Sequence, residues 1–138
     1  MTAAGNAKVM LVEDNPGDVE LVRVAIGNCV PEGALRVFLD GQSAFEYVEG
    51  GSLTPSTLIL LDLNLPGRNG FEILEAIQRA GTHDRIATVV LSSSTQPADR
   101  ERALALGAAS FMNKPGSLDE IDTLQTQLCA MISSLDPS

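Results

Sequence analysis

Leu58-Ile59-Leu60-Leu61-Asp62-Leu63-Asn64-Leu65-Pro66-Gly67 is an apolar run that ends on a carboxylate and then on turn residues. Four apolar residues without alternation read as a strand covered on both faces, the habit of parallel sheets. Outward from it, four more runs share the character: Val9 to Val12, Leu35 to Leu39, Ile86 to Leu91, and Phe111-Met112 with its neighbours. Arg36 inside the second suggests an edge position. Helical patterns lie between. Asn15-Pro16 opens the first, with Asn as cap, Pro at the first helical position and Asp18 favouring the dipole. Val19, Val22, Ile26 and Cys29 fall on one face of it, and Pro31 and Gly33 stop it. The second helix spans about Gln42 to Val48, ending at Gly50-Gly51. The third spans Gly70 to Ala80, stopped by Gly81, and the fourth runs from Pro97 to Gly107. The fifth starts at a capping box, Ser117 to Glu120, and carries the stripe Ile121, Leu124, Leu128, Met131 or Ile132, and Leu135. Strict β-α alternation predicts one parallel sheet with helices on both faces and right-handed crossovers.

Composition bounds the rest. The 138 residues suit one domain, with 44% apolar content that argues against disorder. No apolar stretch reaches the roughly eighteen residues a membrane span needs, and Met1 to Asn6 lack signal-peptide character. A net charge of -9 speaks against direct nucleic-acid binding. Cys29 and Cys129 are too few for a disulfide scaffold and lack metal-ligand spacing. They read as small hydrophobes on helices in a reducing cytoplasm.

Ligands of open parallel sheets bind beyond the carboxyl ends of the strands. The first strand delivers Glu13-Asp14 there, the second Asp40-Gly41, the third Asp62, the fourth Ser92-Ser93-Ser94, and the fifth Asn113-Lys114-Pro115. With the first and third strands as neighbours, Glu13, Asp14 and Asp62 share a crevice. Two such charges about 4 Å apart repel by roughly 4 kcal/mol at an effective dielectric near 20. A proton or a hard cation must relieve them, and Mg2+ is the leading candidate. A carboxylate is also a potential phosphoryl acceptor, with Lys114 and the Ser92 hydroxyl as stabilising donors. Taken singly these residues have plainer readings: acids after strands often only cap helices, and Lys114 could form a structural ion pair.

In this order and spacing, Val9-Met10-Leu11-Val12-Glu13-Asp14-Asn15-Pro16, Leu60 to Gly67 with Gly70, Val90-Leu91-Ser92 and Asn113-Lys114-Pro115 resemble the receiver domains of two-component response regulators. The resemblance covers roughly Lys8 to Leu135. It implies a flavodoxin-like (βα)5 doubly wound fold with strand order 2-1-3-4-5 and a single receiver domain over residues 1–138 without an output domain. It implies Asp62 as phosphoacceptor, a magnesium site of Asp14, Asp62 and the Asn64 carbonyl with Glu13 acting through water, and Lys114 bridging acceptor and phosphoryl oxygens. Ser92 and Phe111 are the implied switch residues. The peptide before Pro115 is cis in much of the family.

Ser92 stands where Thr is frequent, Phe111 where Tyr is, and Glu13 where Asp is. Asn64 and Ser94 occupy positions that tune dephosphorylation. The implied role is a non-enzymatic signalling protein, phosphorylated by a sensor histidine kinase and contacting another protein or a second copy of itself. Glu-Asp-Asn-Pro-Gly-Asp at 13–18, with Leu61-Asp62-Leu63-Asn64-Leu65-Pro66, resembles single-domain regulators that accompany bacterial phytochromes. Two competitors are a pseudo-receiver that binds without phosphoryl transfer and a haloacid-dehalogenase-type phosphatase. The intact residue set disfavours the first. Asn64, where a second Asp is needed, and the short length disfavour the second. Nucleotide-binding glycine motifs are missing. His83 reads as a loop surface residue, Arg100-Glu101-Arg102 as a solvated helix face, and Met131 to Leu135 as a possible dimer seam.

Overall fold

The computed structural model describes residues 8–80, 86–93 and 96–135. Five strands, β1 (Lys8–Val12), β2 (Leu35–Phe38), β3 (Thr57–Leu61), β4 (Ile86–Ser92) and β5 (Ser110–Asn113), alternate with α1 (Pro16–Ile26), α2 (Gly41–Glu49), α3 (Gly70–Ala80), α4 (Pro97–Ala105) and α5 (Leu118–Leu135). All pairings are parallel and the order is β2-β1-β3-β4-β5, so β2 is an edge strand. The central strands are buried throughout on β3 and from the second residue onward on β1, as their apolar runs require.

Successive residues of each strand feed opposite layers. Val9, Leu11, Leu58, Leu60 and Val89 meet α1 and α5 through Val22, Ile26, Leu124 and Leu128. Met10, Val12, Ile59, Leu61 and Val90 meet α2, α3 and α4 through Val48, Ile73, Leu74 and Ala103. Each such aliphatic side chain contributes about 1.5–3 kcal/mol on burial, and β1 and β3 are thereby clamped from both sides.

Several local expectations need correction. The first helix ends at Ile26, before Pro31 and Gly33, and Glu32–Ala34 form a 3-10 turn. Leu39 lies beyond β2 and is exposed. The capping box is half formed: Ser117 Oγ accepts from the Glu120 amide at 3.2 Å, but the Glu120 carboxylate takes the Gly116 amide at 2.6 Å. Along α5, Leu124, Leu128, Ile132 and Leu135 are buried in the chain's own core, and Ser56 Oγ donates to the Leu135 carbonyl at 2.9 Å. The expected seam residues are therefore largely used within the fold. The Arg100–Arg102 face is not simply solvated. Arg100 Nη1 donates to the Phe111 carbonyl at 3.1 Å, and the Arg102 guanidinium sits 4.1 Å from the centre of the Phe71 ring. Gly81, His83 and Ser94 lie outside the described residues.

The cysteines also depart from expectation. Because α1 stops early, Cys29 sits in the following turn beside α5 rather than on a helix face. There it forms a disulfide with Cys129, with Cα atoms 5.7 Å apart. The bridge spans a sequence separation of 100. Disulfides typically contribute about 2–4 kcal/mol, and loop-closure entropy for a loop of this length sets an upper figure of about 4.7 kcal/mol. Reduction is expected to lower the denaturant midpoint accordingly. Thiol titration of the denatured, unreduced protein should return no free thiol, and two would contradict the bridge.

Candidate functional site

The strand ends build the site. The Asp62 amide donates to the Val12 carbonyl at 3.1 Å, carrying the β1–β3 pairing one step past the strands. That register brings Asp62 beside Glu13-Asp14. One ligand oxygen from each of Glu13, Asp14 and Asp62 lies within 4.8 Å of the others. Glu13 and Asp62 are buried and Asp14 is exposed, so the cluster opens to solvent on one side. On the far side the Lys114 amide donates to the Ser92 carbonyl at 3.0 Å, extending the β4–β5 ladder and fixing where the lysine emerges.

Lys114 Nζ lies 2.8 Å from Asp18 Oδ2, 3.0 Å from Glu13 Oε1 and 3.4 Å from Asp62 Oδ2. An ammonium has three donors, and these three carboxylates match them. The second Glu13 oxygen accepts the Asn15 amide at 3.2 Å, and Asp62 Oδ1 accepts the Asn64 amide at 3.3 Å. Gly70 guards the acceptor loop. A Cβ there would meet the Asp62 carbonyl at 2.6 Å and Leu63 Cα at 2.8 Å, so the start of α3 packs against the backbone of the acceptor only as glycine.

Burial pushes the Glu13 carboxyl up to about 7, opposed by the Lys114 hydrogen bond and reinforced by the charge of Asp62. Lys114 is held above its ordinary value: burial works against its charge, but the hydrogen bonds it donates to Asp18 and Glu13 outweigh it. Glu13 therefore keeps a proton in the folded chain over pH 4.5 to 7, where an unfolded carboxyl has lost it. Its contribution to stability is full below about 4.5 and is lost as pH rises through about 7. The same proton competes with a cation. Divalent-ion affinity, followed by calorimetric titration, should weaken between pH 8 and 6 by up to about tenfold per unit. The Glu13→Gln variant should flatten that slope.

The donor set is all hard oxygen, open on one edge and short of positive charge, which fits a divalent cation that retains water. Of the expected residues, the structure brings Glu13, Asp14, Asp62 and Lys114 together, with Asn64 bonded to the acceptor. Ser92 is fully buried at the end of β4, and the Phe111 ring is buried against the α2–α4 layer. No cis peptide occurs among the described residues, so Lys114–Pro115 is trans, unlike much of the resembled family. Asp18 was not expected here. Its position in the first turn of α1 signals only a favourable dipole, and its contact with Lys114 crosses 96 positions.

Comparison with known proteins agrees with this geometry. A family model for the response regulator receiver domain matches residues 9–125. The probable methanogenesis regulatory protein FilR2 of Methanothrix harundinacea is 34% identical over 116 residues, which is 82% of this chain and 75% of that protein. The two-component response regulator ARR17 of Arabidopsis thaliana is 33% identical, over 87% of this chain and 83% of its own. Among solved structures, the phosphorylated cyanobacterial phytochrome response regulator RcpA superposes with TM-score 0.81 at 31% identity, covering 96% of this chain and 99% of that one. The Mn2+-bound response regulator Rcp1 gives 0.76 at 28% identity, covering 95% and 96%.

Proposed function

Because the chain belongs to the response regulator receiver domain family of two-component signalling, we propose that it accepts a phosphoryl group on Asp62 from a histidine kinase. The observation that carries this reading is the convergence of the buried Asp62 with Glu13, Asp14 and Lys114 at one end of the sheet. In the transfer, a phosphohistidine N–P bond breaks as an O–P bond forms at an Asp62 carboxylate oxygen. Asp62 is held for in-line attack by the Asn64 amide and the β1 end. Lys114 neutralises charge on the acceptor side.

Glu13, Asp14, Asp62 and the Asn64 carbonyl would hold Mg2+, with Glu13 acting through water. The ion supplies charge neutralisation at the phosphoryl oxygens when bound. The related response regulator Rcp1 has a solved Mn2+-bound form.

Phosphoryl oxygens then favour a state in which Ser92 moves toward them and Phe111 follows. Arg100, bonded to the Phe111 carbonyl, links that change to α4. Inverting a population from 1:99 to 99:1 takes about 5.5 kcal/mol of differential stabilisation. The output is contact with a downstream protein or a second copy of the chain through the surface of α4, β5 and α5. The likeness to RcpA makes a bacterial phytochrome the favoured kinase. The chain acts as a phosphoacceptor rather than an enzyme. No described helix is long and apolar enough to cross a membrane; we place the protein in the cytoplasm, as its receiver-domain family suggests.

Incubation with a small acyl phosphate and Mg2+ should add one phosphoryl group to the intact mass, and a chelator should prevent it. An unmodified mass would instead favour a receiver fold used only for binding.

A further inference from the structure

We propose that Asp18 is a positioning residue that holds Lys114 at the acceptor when the metal site draws away the lysine's other two partners. The inference rests on the phosphoacceptor reading above. Lys114 has three carboxylate partners, and two of them, Glu13 and Asp62, belong to the cation cluster. Once those oxygens turn to a divalent ion, their hold on Nζ weakens. Asp18 is outside the cluster and makes the shortest of the three contacts, at 2.8 Å. It is therefore the one partner whose bond to Lys114 the metal leaves in place.

The local sequence fixes this anchor. Asn15 caps α1 through its side chain, which accepts the Asp18 amide at 3.1 Å, and Pro16 sets the first helical residue. The Asp18 backbone is thus held at both the cap and the first turn. Lysine needs such an anchor because its flexible four-carbon stem carries a mobile point charge. Nζ is 3.4 Å from Asp62, so a small approach brings one N–H to a phosphoryl oxygen while another stays on Asp18.

The test compares the parent chain with Asp18→Asn and Asp18→Glu at saturating Mg2+. Labelling by acyl phosphate is expected to slow about tenfold in Asp18→Asn and to recover largely in Asp18→Glu. In the same variants, reductive methylation of the Lys114 amine, read by peptide mass, is expected to speed several-fold in Asp18→Asn. A role limited to the α1 dipole would leave Lys114 methylation unchanged, and that result overturns the inference whatever the labelling shows. Labelling of Asp18→Asn at the parent rate also overturns it. A parent chain that takes no label defeats the phosphoacceptor reading itself.

Discussion

Asp62→Asn is expected to abolish phosphoryl labelling while leaving the chain folded. The acceptor oxygen is lost, yet the amide oxygen can still take the Asn64 amide that Oδ1 accepts at 3.3 Å. The backbone bond from residue 62 to Val12 is untouched. Among the described residues, the substitution also removes the one buried negative charge beside Glu13, whose carboxyl is raised in part by Asp62. Metal-free stability should therefore hold or rise by about 1 kcal/mol, and cation affinity should fall because one ligand charge is gone. Intact mass after acyl phosphate and a denaturant curve check both halves. Residual label at the parent level would move the acceptor elsewhere.

Lys114→Ala should show the second large effect, with two signs. Three carboxylates lose their counter-ion, and Glu13 and Asp62 are buried. Breaking a buried pair by removing one partner costs about 3–5 kcal/mol. Here the loss should fall toward the lower end, because Glu13 can take up a proton and the cluster opens to water at Asp14. Labelling should slow by about 10²–10³-fold, the loss typical of one preorganised donor at a developing charge. Mg2+ binding should tighten instead, by at least about tenfold, or 1.4 kcal/mol, since a competing cation has left. Calorimetric titration separates this from general unfolding, which would weaken Mg2+ binding.

The sheet was legible because its signal is local. Runs such as Leu58 to Leu61 declare burial on both faces, and Arg36 marks β2 as the edge that the strand order confirms. Helix α3 runs from Gly70 to Ala80 as its pattern predicts. The acidic trio was legible too, because parallel topology sends every strand's carboxyl end to one side. What escaped depends on side chains meeting across the fold. Lys114 and Asp18 lie 96 positions apart, and Cys29 and Cys129 lie 100 apart. Nothing in the residues near Asp18 distinguishes a helix-dipole acid from a lysine anchor. Arg100 reads as solvated because its acceptor is a backbone carbonyl, which sequence does not mark. Glu120 fits a capping box by spacing, but its carboxylate takes the Gly116 amide instead.

The most direct measurement is a peptide map of the parent chain after acyl phosphate and Mg2+ treatment, with the acyl phosphate trapped by reductive cleavage using borohydride. The predicted result is one modified site, at Asp62, that disappears when Mg2+ is chelated. Modification at another residue, or an unmodified Asp62 peptide from a folded chain that binds Mg2+, would contradict it.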